Sequence, residues 1–153
     1  MDTSPGWHLA DLKDRTDEEQ VARLIATGID AEHPERGLES ARRAVREYQK
    51  LDHFALWGVE ADGKIVGVIG IERLNAEQLV LRDLAVSAEA RLRGLGRAMI
   101  DFVRRELEPW LIRGYTRSDA VEFYRRCGFS VREDGSLPSG ETRYLFEWRT
   151  EVV

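Results

Sequence analysis

The sequence predicts a mixed α+β fold, one domain spanning residues 1–153 around a single sheet. Three observations predict it. A length of 153 residues fits one domain of roughly 100–200 residues. Apolar residues make up 42% and charged residues 33%, which allows a real core under a solvated surface and excludes a disordered chain. The hydropathy period switches from helical to strand-like near His53 and back to helical after Gly94, which places strands between helices.

The elements follow in order. Trp7 to Leu12 reads as a short strand. Thr16-Asp17-Glu18-Glu19 reads as a capping box, in which the Thr16 hydroxyl and the Glu19 carboxylate each satisfy a backbone N–H at a helix start. Val21, Leu24 and Ile25 continue that helix and Gly28 stops it. Asp30 to Gly37 is a polar turn, and a second helix begins near Leu38 with Leu38, Ala41, Val45 and Tyr48 on one face. His53–Val59, Ile65–Ile71 and Leu79–Val86 read as three strands. Asp62-Gly63 joins the first two as a tight hairpin, and Asn75-Ala76-Glu77 turns the chain into the third, giving an antiparallel meander. A Gly-containing turn then opens a helix with Leu95, Ala98, Met99, Phe102, Val103 and Leu107 inward, ended by Pro109. Trp110–Ile112 is a short strand. Ser118 or Asp119 caps a further helix carrying Val121, Phe123 and Tyr124, and Gly128 ends it. Phe129–Arg132 and Thr142–Trp148 are the last strands. The order is β-α-α-β-β-β-α-β-α-β-β.

Composition excludes several functions. A net charge of −5 argues against a nucleic-acid binder, which needs a basic face. Cys127 is the only cysteine, so no intramolecular disulfide and no cysteine-rich zinc site exist. His8, His33 and His53 are scattered and give no metal signature. No stretch approaches the roughly 18 apolar residues of a membrane helix, and Met1 to Pro5 lacks the start of a signal peptide. The expectation is a cytoplasmic protein without membrane, nucleic-acid or metal partners.

Chemistry concentrates in Leu84 to Arg97, where a strand ends, a basic glycine turn follows and a helix begins. This geometry suits an anion. The first helical turn leaves backbone N–H groups free and adds the positive end of the helix dipole. Gly94 and Gly96 let the backbone approach a ligand closely, while Arg91, Arg93 and Arg97 add forked donors for phosphate oxygens. The P-loop pattern is absent, and the third glycine of a dinucleotide fingerprint is missing.

Arg91-Leu92-Arg93-Gly94-Leu95-Gly96 resembles the (Arg/Gln)-x-x-Gly-x-(Gly/Ala) signature of the GCN5-related N-acetyltransferases. Leu84-Ala85-Val86 stands where that family places its acetyl-coenzyme A strand, and Ala120 to Phe129 looks like its second motif, a helix ending Tyr-x-x-x-Gly-Phe. The resemblance implies a mostly antiparallel sheet splayed at its centre. The Arg91–Arg97 turn, Leu92 included, would cradle the pyrophosphate. The Leu84–Val86 strand would part from Trp110–Ile112 and pair with the pantetheine arm, with a backbone N–H near Val86 polarising the thioester carbonyl. Tyr124 matches the general acid that protonates the departing thiolate.

The implied activity is acetyl-coenzyme A-dependent transfer to a primary amine of a small molecule or peptide. The alternative is a coenzyme A-binding sensor or interaction module without turnover. Many relatives carry Asn seven residues before the tyrosine, where this chain has Arg117. Glu72, at a strand end, is the preferred general base, with Asp83 as runner-up. Strict alternation places Val80, Arg82 and Leu84 on one face, so Arg82 is a candidate for binding a substrate carboxylate. The acceptor would meet the Gly28–Leu38 turn, with His33 in contact, the ends of the meander strands and the Asp134–Glu141 loop. Dimers are common in the family resembled, and no interface can be read from these residues.

Overall fold

The structure, a computed structural model, describes residues 7–14, 18–30, 32–91 and 93–150. Its elements are β1 (His8–Asp11), α1 (Glu18–Ile29), α2 (Pro34–Lys50), β2 (Phe54–Ala61), β3 (Lys64–Arg73), β4 (Gln78–Val86), α3 (Leu95–Leu107), β5 (Leu111–Thr116), α4 (Val121–Arg126), β6 (Ser130–Ser136) and β7 (Thr142–Arg149). The strands form one sheet in the order β1-β2-β3-β4-β5-β7-β6. Every neighbouring pair is antiparallel except β4 with β5. The expected element order and meander are both present. The hairpin between β2 and β3 has Asp62 and Gly63 at φ 52° and 76°, the left-handed pair that a two-residue turn of this twist requires.

Helices cover the sheet on both faces. Ile65 and Val68 of β3 pack with α1 and α2, against Ile25, Ala41, Val45 and Tyr48. Val66, Ile69 and Ile71 of the same strand pack with α3 and α4, against Met99, Ile100, Val103 and Tyr124. A strand buried on both faces reads as a continuous apolar run, which Ile65 to Ile71 is.

Several boundaries differ from the sequence reading. Helix α1 passes through Gly28 to Ile29, and Gly28 lies against Leu84 and Ala85 of β4 at ordinary contact distance. Helix α2 starts at Pro34 rather than near Leu38, since proline at the first helical position forgoes only an N–H that had no partner anyway. Gly37 is therefore helical and buried against Ile29, while Leu38 is half-buried. Ala98, Phe102 and Leu107 of α3 are also half-buried, and Ile100 takes a core place. Neither Ser118 nor Asp119 caps α4 through its side chain. A short 3₁₀ turn, Ser118–Ala120, leads into the helix instead. Thr16 and Asp17 of the expected capping box lie outside the described residues.

Candidate active site

The sheet opens at its centre. Strands β4 and β5 pair only at Gln78–Leu111, Leu79–Ile112 and Val80–Arg113. Gly114 marks the last close approach, since a Cβ there would sit 2.6 Å from the Leu81 carbonyl oxygen and inside the Phe146 ring. Beyond it, Leu84–Val86 and Tyr115–Thr116 run without pairing to each other. The cause lies in β4. Leu81 pairs with Ile71 and Asp83 with Gly70, so Arg82 is one residue too many. Such a bulge bends its strand and increases the local twist, which carries the end of β4 away from β5. The wedge therefore faces Gly114–Thr116, not the expected Trp110–Ile112, because β5 is longer than its apolar start suggests. The bulge also overturns strict alternation. Leu81 and Leu84 pack toward the same core, whereas Asp83 and Ala85 turn toward α1 and α2.

At the wide end of the wedge, β4 hands over to the glycine turn. Gly94 has φ 73° and serves as the N-cap of α3 without a side-chain cap. Ala98 is the first residue to close a helical bond, onto the Gly94 carbonyl, so the N–H groups of Leu95, Gly96 and Arg97 have no acceptor among the described residues. No acidic residue occupies this first turn. Arg91 and Arg93 are exposed, Arg91 reaches the Val86 carbonyl at 3.4 Å, and Arg97 extends to the Arg126 carbonyl. Leu92 lies outside the described residues. Ser87, just past β4, holds a buried hydroxyl oxygen with no partner.

At the closed end of the wedge stands Tyr124. Its ring stacks on Phe146 at 3.9 Å between centroids, and Phe146 in turn covers Gly114. The residue is buried, and its hydroxyl has no hydrogen-bond partner among the described residues. Burial, then the neighbouring Cys127 and Asp83, push the phenol above its usual range, so it stays protonated through neutral pH.

Outside the wedge lies a cleft of about 880 Å³ between the α1–α2 turn, the end of β5 and the β6–β7 loop. His33, Arg36, Asp119 and Glu141 are among its walls, so two of the expected segments meet there, while the ends of the meander strands do not line it. Arg117 also lines it and donates to the Gly28 carbonyl at 3.1 Å, tying the end of β5 to the end of α1 across the mouth.

Residues 52–131, just over half of the chain, match the acetyltransferase (GNAT) domain family. The chain belongs to this family. A rat protein, N-acetyltransferase family 8 member 3, is 30% identical over 112 residues, covering 66% of this chain and 46% of that protein. The chain thus spans about half the length of that relative. Among solved structures, the fold is similar to PaiA N-acetyltransferase of Thermoplasma acidophilum in complex with coenzyme A, with TM-score 0.76, 15% identity, and 95% and 100% of the two chains covered. It is also similar to the ribosomal-protein-S18-alanine N-acetyltransferase of Escherichia coli, with TM-score 0.74, 15% identity and 96% of each chain covered.

In this GNAT chain the remaining sequence candidates fall elsewhere. Glu72 and Arg82 do not line the cleft. Arg82 donates to Glu72 at 2.6 Å and lies over the Phe54 ring, and the second Glu72 oxygen is 3.7 Å from His53. Asp83, the other carboxylate considered, accepts a 2.5 Å bond from the Tyr48 hydroxyl. Burial raises its carboxyl more than Tyr48 and Arg82 lower it. Sequence reasoning missed this pair and the bulge beside it. One signal was available: Gly70 interrupts a β-branched run, and a Cβ there would overlap the Tyr48 ring. Among the described residues, no helix is long and apolar enough to cross a membrane, and no cluster of His, Cys, Asp and Glu could hold a metal.

Proposed function

We propose that this GNAT-family chain transfers an acetyl group from acetyl-coenzyme A to a primary amine. One observation carries the reading: the unpaired wedge runs from a turn of unsatisfied N–H groups at one end to a buried, unpartnered tyrosine at the other. Acetyl-coenzyme A would supply a thioester whose carbonyl carbon accepts the amine. The residues present fit it. Free N–H groups of Leu95, Gly96 and Arg97 suit a pyrophosphate, with Arg91, Arg93 and Arg97 adding charge and no acidic side chain opposing it. The open edge of Leu84, Ala85 and Val86 offers main-chain groups to an amide-bearing arm, as a strand edge does.

Tyr124 protonates the departing thiolate. The phenol, still protonated at neutral pH, would supply the proton that the thiolate takes up once the amine nitrogen has bonded to the acetyl carbon and the carbon–sulfur bond has broken. Glu72 is held by Arg82 away from the cleft, so it is not given the role of base, and the amine proton leaves to solvent. The acceptor enters by the 880 Å³ cleft and meets His33 there.

Thermal unfolding with acetyl-coenzyme A, with ATP and NAD as controls, tests the reading. At 100 times its dissociation constant a ligand adds roughly 2.7 kcal/mol, a rise of several degrees for a domain of this size. A rise with acetyl-coenzyme A alone is expected. No rise at millimolar concentration would overturn both the transferase and a coenzyme A sensor.

A further inference from the structure

Helix α4 has six residues, far short of the roughly 12–15 at which a helix persists unaided, so its placement must be imposed by neighbours. Its C-terminal carbonyls show how. The Phe123 carbonyl receives Cys127 N–H. Gly128, at φ 92°, donates to Arg125, and Phe129 donates to Tyr124, the two crossed bonds of a Schellman motif. Two carbonyls remain, those of Arg126 and Cys127, and among the described residues no backbone donor reaches them. Both are taken by arginines of α3. Arg97 donates from Nη1 to Arg126 at 3.3 Å, and Arg104 from Nη2 to Cys127 at 2.6 Å.

Arg104 is itself clamped. Its guanidinium lies 5.0 Å from the Phe129 ring centroid and 4.7 Å from that of Trp148, and Asp101 accepts from its Nη1 at 3.3 Å. A planar, stacked, forked cation has no equivalent in lysine. Two positive charges at a helix C-terminus also complement the helix dipole. Arg97 and Arg104 stand seven residues apart on α3, whose first turn bears the unsatisfied N–H groups.

We infer that Arg104 is a positioning residue for Tyr124. It fixes the C-terminus of α4 to α3, so that the helix presenting the phosphate-binding turn also sets the tyrosine at the closed end of the wedge. This rests on the acid role proposed for Tyr124, and the test separates the two. The protein is labelled with 3-fluorotyrosine, and the four ¹⁹F lines are assigned by Tyr→Phe substitutions. In Arg104→Ala the Tyr124 line shifts or broadens while the Tyr48 line, from the opposite face of the sheet, stays; Arg104→Lys lies between the two proteins. An unchanged Tyr124 line in folded Arg104→Ala, or in folded Arg104→Lys should alanine not fold, overturns the inference.

Turnover supplies the second readout, measured as thiol release from acetyl-coenzyme A with spermidine, kanamycin and an alanyl peptide. Arg104→Ala lowers kcat about tenfold and leaves the acetyl-coenzyme A dissociation constant unchanged, and the same substitution made in Tyr124→Phe costs nothing further. An equal loss in both backgrounds means that Arg104 acts otherwise than through Tyr124, and overturns it. If the Tyr124 line moves but acetyl-coenzyme A does not bind, the positioning stands and the transferase reading falls.

Discussion

Two tyrosines are buried on opposite faces of this sheet, and their hydroxyls meet opposite fates. Tyr48 of α2 is 1% exposed and donates a hydrogen bond to Asp83, in space left by Gly70. Tyr124 of α4 is 6% exposed and donates to no acceptor among the described residues. The Tyr124 hydroxyl is not sealed from solvent, so it stays open to water or a ligand, whereas the Tyr48 hydroxyl is committed to Asp83. The faces differ in the same sense. Strands β3 and β4 stay paired from Gly67 to Arg73, interrupted only by the bulge at Arg82. Beside α4 the sheet parts after three residue pairs.

The largest way to break this contrast is to remove the two hydroxyls separately. Tyr124→Phe should lower kcat about 100-fold or more, the usual contribution of a general acid, and change stability by less than about 0.5 kcal/mol. Tyr48→Phe should do the reverse, costing about 1–2 kcal/mol in urea unfolding, because the Asp83 carboxyl loses its donor, with little effect on kcat. Equal stability losses in the two variants would erase the distinction.

A second variant sharpens it on the structural side. Gly70→Ala places a methyl group inside the Tyr48 ring, so α2 must lift from the sheet. About 1–3 kcal/mol of destabilisation is expected from such overpacking, read as a lower urea midpoint at unchanged slope. Wild-type stability would show that the gap is not needed.

The smallest effect is a pH slope. Asp83 titrates above its ordinary 3.8 in the folded chain, mainly through burial. The folded state then binds that proton more tightly than the unfolded state, and stability falls as pH rises from about 4 through the raised value, then levels. Asp83→Asn keeps an acceptor for Tyr48 and removes the charge. Its stability relative to the parent should therefore grow over that range. Parallel pH profiles for the two proteins would refute the assignment.

Much of this was legible in the residues. Asp62-Gly63 specified its hairpin, because few other pairs tolerate two left-handed residues in succession. Gly94, Gly96 and the arginines around them marked the turn of unsatisfied donors, and Tyr124 with Gly128 and Phe129 marked α4. The bulge was not legible. Period-2 alternation assumes one residue per partner, and Arg82 breaks that count through a register set by β3, not by its own neighbours. The same break brought Arg82 to Glu72 rather than to the cleft. Arg104 was unreadable for a related reason: its partners, the Cys127 carbonyl and Trp148, lie 23 and 44 residues away. A long-range contact leaves no local pattern.

A gap walled by peptide groups has an evolutionary consequence. Peptide groups are supplied by every residue except proline, which lacks the N–H, so a substitution along Leu84–Val86 changes what packs behind the gap more than what it presents. Such an opening is insulated from drift. Selection can rewrite nearly every side chain around it while the register that parts the strands is kept. Chains as unlike as 15% identity can therefore share one shape at a TM-score of 0.76. Loss of the extra residue in β4 would close the gap where most replacements of its side chains would leave it open.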